Sequence, residues 1–148
     1  MFFSPQRIFD TLQAKTKTEL LEELSLALAQ TEPGLEAKSL FKVLKAREDL
    51  GSTGIGKGVA IPHGKVANLD KTLLALGRSP EGIDFASQDG EKCFLFFVLL
   101  GPTEATGEHL RALAQISRLL KKEELIKQLY QAPDAQSLYE ILNQALPD

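Results

Sequence analysis

The chain has 148 residues, 43% hydrophobic and 25% charged, with 17 basic and 20 acidic side chains and a net charge of −3. This fits one domain over residues 1–148 with a self-sufficient core, and the dispersed charge leaves no basic patch for nucleic acid. A single cysteine excludes an internal disulfide, and no apolar run approaches the roughly 18 residues of a membrane span, so the expected protein is cytoplasmic and not membrane-inserted.

Thr16-Lys-Thr-Glu19 has the form of a capping box, and Leu20, Leu21, Leu24, Ala27 and Leu28 recur behind it at helical spacing, which predicts a first helix ending near Thr31. Ala37, Leu40, Phe41 and Leu44 give the inward stripe of a second helix over about 35–49, with Gly51 just past its end. Short strands are predicted at 59–61 and 72–77. Pro80-Glu-Gly82 punctuates the chain, and Asp89-Gly90 signals a tight turn. The unbroken apolar run Cys93–Leu100 before Gly101-Pro102 reads as a central strand covered on both faces, with Cys93 a small buried hydrophobe in it. Three helical patterns follow, over 107–121, 123–131 and 135–146, the last capped by Asp134. The fold class is therefore α/β, a single domain whose mixed parallel and antiparallel sheet has helices on both faces.

Between the second helix and the first short strand lies Gly51-Ser-Thr-Gly-Ile-Gly-Lys-Gly58, read here as a loop whose N–H groups form an anion-binding concavity. Gly51–Lys57 also satisfies G-x-x-x-x-G-K, but Gly58 replaces the hydroxyl residue that holds Mg²⁺ in a nucleotide-binding loop. The context is reversed as well, since a helix precedes the loop and a strand follows it, and Pro62 opposes a helix there. Gly54, Gly56 and Gly58 are spaced G-x-G-x-G, which is not the dinucleotide fingerprint. Non-covalent anion or nucleotide binding stands as an alternative only.

Pro62-His63-Gly64 then presents a histidine after an extended residue and before a bare backbone. An imidazole of ordinary pKa, about 6.5, is mostly neutral at pH 7 and keeps one nitrogen lone pair, which nucleophilic catalysis requires. Ser52, Thr53, Gly54, Gly56 and Gly64 are the candidate phosphate-binding positions around His63, with the two hydroxyls as added donors. His109 opens the helix after the long strand and shares its inward face with Leu113, Ile116 and Leu120. It has two readings, a satisfied core histidine or a neutral partner of His63. Arg47 has two as well, a cation suited to a helix C-terminus or a bidentate phosphate ligand. Lys57 and Lys65 flank the site. Two distant histidines without a ligand-spacing motif give no metal site, and no cofactor is expected.

The stretches Arg47-Glu-Asp-Leu-Gly-Ser-Thr-Gly-Ile-Gly-Lys-Gly-Val-Ala-Ile-Pro-His63-Gly64 and Gly107-Glu-His109-Leu-Arg-Ala-Leu-Ala-Gln-Ile-Ser117 carry a family resemblance. With Gly82-Ile-Asp-Phe85, Asp89-Gly90 and the apolar strand, the chain resembles the fructose/mannitol type of enzyme IIA of the phosphoenolpyruvate-dependent phosphotransferase system, closest to its nitrogen-regulatory branch. The resemblance implies that His63 accepts a phosphoryl group from an HPr-type histidine phosphocarrier, itself charged by enzyme I from phosphoenolpyruvate. It also implies His109 and Arg47 as active-site neighbours, and signalling to regulatory target proteins. The alternative it leaves is a sugar-specific component that passes the phosphoryl group to a IIB domain.

Overall fold

A computed structural model describes residues 3–104 and 106–146. The strands are β1 (Phe3–Phe9), β2 (Gly54–Gly56), β3 (Val59–Ala60), β4 (His63–Val66), β5 (Leu73–Ile83) and β6 (Cys93–Pro102), and the helices are α1 (Lys17–Thr31), α2 (Ala37–Asp49), α3 (Thr106–Leu119), α4 (Glu123–Gln131) and α5 (Ala135–Ala145). One sheet runs in the order β1-β5-β6-β3-β2, with β4 also paired to β6. Pairing is parallel for β1 with β5 and for β3 and β4 with β6; it is antiparallel for β5 with β6 and for β2 with β3. The mixed sheet expected from the sequence is present.

β6 is the spine because its side chains are apolar on both faces. Leu95, Phe97 and Leu99 join the core under α3, α4 and α5, whereas Phe96, Val98 and Leu100 join the core under α1 and α2. On the second face Leu20, Leu21, Leu24 and Leu28 of α1 and Leu40 and Leu44 of α2 are fully buried. Each contributes roughly 1.5–3 kcal/mol relative to exposure, enough in sum to hold both helices on the sheet. Thr16 caps α1, its hydroxyl accepting from the Glu19 N–H at 3.2 Å. The Glu19 carboxylate reaches past Thr16 to the Lys15 N–H at 3.1 Å, so the capping box is displaced by one residue. Asp134 caps α5 through the Ser137 N–H at 2.8 Å, as its position predicts.

Four strands depart from the sequence reading, among them β4, which carries His63 and lies beyond the strand expected at 59–61. β1 is a strand no pattern announced; its proline lies where pairing with β5 slips between Phe3 and Ile8, on a sheet edge that tolerates a missing N–H. β5 does not stop at Gly77 but runs through Pro80-Glu-Gly82 to Ile83, with its register shifting between Arg78 and Ile83. The glycine stretch is not an open loop. Gly54–Gly56 forms β2, which turns back into β3 through Lys57 and Gly58, both left-handed at φ 59° and 81°. Two consecutive left-handed residues suit a tight two-residue hairpin, and glycine carries that conformation without steric cost.

Candidate functional site

β3 and β4 pair with β6 in one register, Val59 opposite Leu95 and His63 opposite Leu99, with Ile61-Pro62 as the break between them. Proline has no N–H to give the sheet, yet its carbonyl accepts from the Leu99 N–H at 3.0 Å, so the interruption is only one donor wide. His63 thereby begins a strand anchored to the buried spine. Side chains alternate across the sheet, which puts His63 on the same face as Val59 and Ile61, under α3.

Two hydrogen bonds define its ring. Nδ1 lies 2.8 Å from the Ile61 carbonyl oxygen, which accepts only, so Nδ1 carries the proton of the neutral ring. Nε2 is left with the lone pair, and the Nε–H of Arg47 donates to it at 3.3 Å. The Arg47 guanidinium is itself held by the Gly51 carbonyl at 2.9 Å from Nη1. The structure thus brings Arg47 and His63 together from the end of α2 and the start of β4. The helix lies close to the strand because Gly64 is bare: a Cβ there would collide with the Val43 side chain. That is the role of Gly64 visible here, and it does not line the cavity beside His63.

His109, in the first turn of α3, is buried, and its ring centroid is 6.0 Å from that of His63 at a 49° tilt. Burial holds its pKa below the ordinary histidine value, and the neighbouring His63 and Lys65 on β4 push in the same direction. A neutral His109 is the consequence. Stability linked to that group is fully present above the unfolded pKa of about 6.5 and is lost as pH falls toward the depressed folded value, because the unfolded chain then binds the extra proton. Urea midpoints measured from pH 7 down to 5 are expected to fall more steeply in the wild type than in His109→Gln; equal slopes would contradict the buried neutral state.

A cavity of about 320 Å³ opens beside His63, lined by Arg47, Ser52, Thr53, Gly54, Ile55, Ile61, Gln88, Leu113 and Ser117. Three of the predicted phosphate-binding positions, Ser52, Thr53 and Gly54, are therefore on its wall, while Gly56 is not. The hydroxyls are not spare donors as the sequence suggested. Ser52 Oγ donates to the Phe85 carbonyl at 2.5 Å and accepts from the Gly54 N–H at 3.0 Å. Both the hydroxyl and the N–H of Thr53 donate to Glu48, the N–H at 3.0 Å. A Cβ on Gly54 would lie 2.6 Å from Ser87 Oγ, so Gly54 permits close packing, and the Lys57 N–H at the hairpin turn donates to Asp89 at 3.0 Å. The wall is prearranged by internal bonds.

Lys65 shares the His63 face two residues on, whereas Lys57 pairs with Glu123 at 2.9 Å and does not line this cavity. Sequence reasoning missed Gln88, Ser117 and Glu48. Ser117 was within reach, since it follows His109 by eight residues on the inward face of one helix. Glu48 gave no signal, because a carboxylate beside Arg47 in the last helical turn looks like any solvated charge. Among the described residues no cluster of three or more His, Cys, Asp or Glu side chains could hold a metal ion, and no helix is long and apolar enough to cross a membrane.

The fold and the site define a class: an α/β domain that sets one histidine lone pair against a guanidinium at the end of a mixed sheet, with a second, neutral imidazole behind it. The chain belongs to the family described as phosphoenolpyruvate-dependent sugar phosphotransferase system, EIIA 2, which it matches over residues 1–145. It is a phosphotransferase-system component. Among curated relatives it is 42% identical to the nitrogen regulatory protein of Bradyrhizobium diazoefficiens over 97% of this chain and 92% of that one. Its identity to the nitrogen regulatory protein of Pseudomonas aeruginosa is 37%, over 94% and 90%. The fructose-specific EIIABC component of Bacillus subtilis is 35% identical over 90% of this chain but only 21% of its own length. The crystal structure of the nitrogen regulatory protein IIA-Ntr from Neisseria meningitidis superposes with a TM-score of 0.88 at 34% identity, covering 96% of this chain and 97% of that one.

Proposed function

We propose that the protein is a phosphoryl carrier and regulator that takes a phosphoryl group on His63 Nε2 from an HPr-type histidine phosphocarrier and signals by its phosphorylation state, in nitrogen-related regulation. The observation that carries this reading is the hydrogen bonding of His63: Nδ1–H is tied to the Ile61 carbonyl, leaving Nε2 as the nucleophile beside Arg47. In the transfer, the Nε2 lone pair forms the new N–P bond. The N–P bond of the carrier's phosphohistidine breaks and its electron pair returns to the carrier's imidazole, so His63 Nδ1 keeps its proton throughout. Arg47, released from Nε2, neutralises the incoming oxygens, while His109 and the wall of Ser52, Thr53 and Gly54 border the group. Two added negative charges or nearly so, about −1.5 to −2, then change which protein surfaces dock at this end of the molecule.

The regulatory branch is supported by the two nitrogen regulatory proteins matched along nearly their full lengths. The fructose-specific EIIABC relative favours a second reading, onward transfer to a IIB domain in sugar uptake. Incubation with phosphoenolpyruvate, enzyme I and an HPr-type carrier tests the first step: it is expected to give one acid-labile, alkali-stable phosphate mapped to His63. Phosphate mapped to His109, or no label, overturns the proposal. Rapid passage of the phosphate to a IIB domain would favour the transport reading.

Arg47→Lys separates charge from geometry at this site. Lysine keeps the positive charge but loses the planar fork, and the rate of labelling is expected to fall about tenfold, equivalent to about 1.4 kcal/mol of transition-state stabilisation. An unchanged rate in stopped-flow transfer would mean that Arg47 serves only the helix end.

A further inference from the structure

Thr72 Oγ1 and His109 Nδ1 are buried polar atoms with no hydrogen-bond partner among the described residues. Buried polar atoms are nearly always paired, and each exception calls for a cause. These two face one point. β5 and β6 pair Leu73 with Leu100, and β4 and β6 pair Lys65 with Gly101, so Thr72, Gly101 and Lys65 form one row across the sheet. A Cβ on Gly101 would meet His109 Nδ1 at 2.8 Å and Thr72 Oγ1 at 3.7 Å. Gly101 is therefore the bare strand position against which the imidazole lies, and the threonine hydroxyl borders the same spot. Thr72 is 3% exposed and His109 4%, so bulk solvent serves neither atom.

We propose that Thr72 is a positioning residue for phosphoryl transfer: its hydroxyl holds one bound water that donates to His109 Nδ1 and fixes the ring as the Nε2–H tautomer. This rests on the reading of His63 as the phosphoryl acceptor. A neutral imidazole has one donor and one acceptor nitrogen, and the partner of one decides the state of the other. Nδ1 is the nitrogen on the side of Gly101 and Thr72. Nε2, at the opposite edge of the ring, then holds the hydrogen and offers a neutral donor to an anionic oxygen on the adjoining His63. The reverse tautomer would give that oxygen a lone pair, which repels it. A water set between the two atoms would have both as hydrogen-bond partners, the minimum that a buried water requires.

The test reads the tautomer from the imidazole ¹⁵N shifts of His109 in the unphosphorylated protein, comparing wild type with Thr72→Val and Thr72→Ser. Wild type and Thr72→Ser are expected to show Nε2–H alone, and Thr72→Val a mixture of the two forms. Labelling of His63 is expected to slow about tenfold in Thr72→Val, equivalent to about 1.4 kcal/mol of transition-state stabilisation, with KM for the phosphocarrier unchanged and recovery in Thr72→Ser. An Nδ1–H tautomer in the wild type, or an unaltered tautomer in Thr72→Val, overturns the proposal. Because the tautomer is measured without phosphate, this outcome is independent of whether phosphate maps to His63, so the failure of one reading is distinct from the failure of the other.

Discussion

Replacing His63 with alanine is expected to reduce phosphoryl labelling to background while leaving the urea midpoint close to that of the wild type. The expectation follows from how little of the fold depends on this ring. His63 is half-buried at the mouth of a cavity, and its partners are one carbonyl and one guanidinium at the surface end of the sheet. Losing them costs about 1 kcal/mol or less, because both groups can turn to solvent. The strand itself is held by its backbone pairing to β6, which alanine preserves. His109→Gln is the informative contrast. That position has no free passage to a phosphoryl donor, being 4% exposed, so its loss slows labelling without removing the acceptor. Label that persists in His63→Ala would exclude His63 as the acceptor, whereas label lost in both variants would require intact circular dichroism spectra before it could be assigned to chemistry.

The readable parts of the sequence were those whose physical signal is local. α1, α2, α4 and α5 follow from apolar spacing and, in α1 and α5, from capping side chains that do make their bonds. β6 follows from an apolar run with no polar face. What the sequence hid depends on partners far along the chain. β1 is a strand only because β5 lies beside it, and its proline reads as a break until it is placed at an edge. The glycine stretch advertises an open anion nest, but Val59-Ala60 bonded to β6 offers β2 a strand to pair with, and pairing consumes the N–H groups a nest would expose. At the site, His63, Arg47 and His109 could be singled out by residue type and spacing. The commitment of Ser52 to Phe85 and of Thr53 to Glu48 could not, because those bonds cross turns whose geometry no single segment specifies.

Glu48 is where the largest loss of stability is expected. Its side chain is 2% exposed, yet it carries an ion pair to Lys17 Nζ at 2.9 Å and accepts both donors of Thr53. Lys17 in turn donates to the Phe85 carbonyl at 3.4 Å and lies 4.4 Å over the Phe85 ring, so one carboxylate ties the start of α1, the end of α2 and the segment leading into β2. Removing one partner of a buried pair leaves the other donors uncompensated, and Glu48→Ala is expected to cost about 3–5 kcal/mol. Lys17 is 24% exposed and recovers some hydration, which places the value toward the lower end. For a chain of this size the thermal midpoint is then expected to fall by roughly 10 °C. Glu48→Gln retains an oxygen for Thr53 and is expected to lose less. Lys17→Met alone strands the carboxylate, so adding it to Glu48→Ala is expected to give a combined loss well below additive, the mark of two side chains in one network. Additive losses, or a cost for Glu48→Ala below about 1 kcal/mol in urea unfolding, would show that the carboxylate is incidental. Because Glu48 holds Thr53 and Thr53 lines the cavity, the same substitution connects stability to function: in the fraction that stays folded, the cavity wall loses this anchor, and labelling of His63 slows with KM for the phosphocarrier raised.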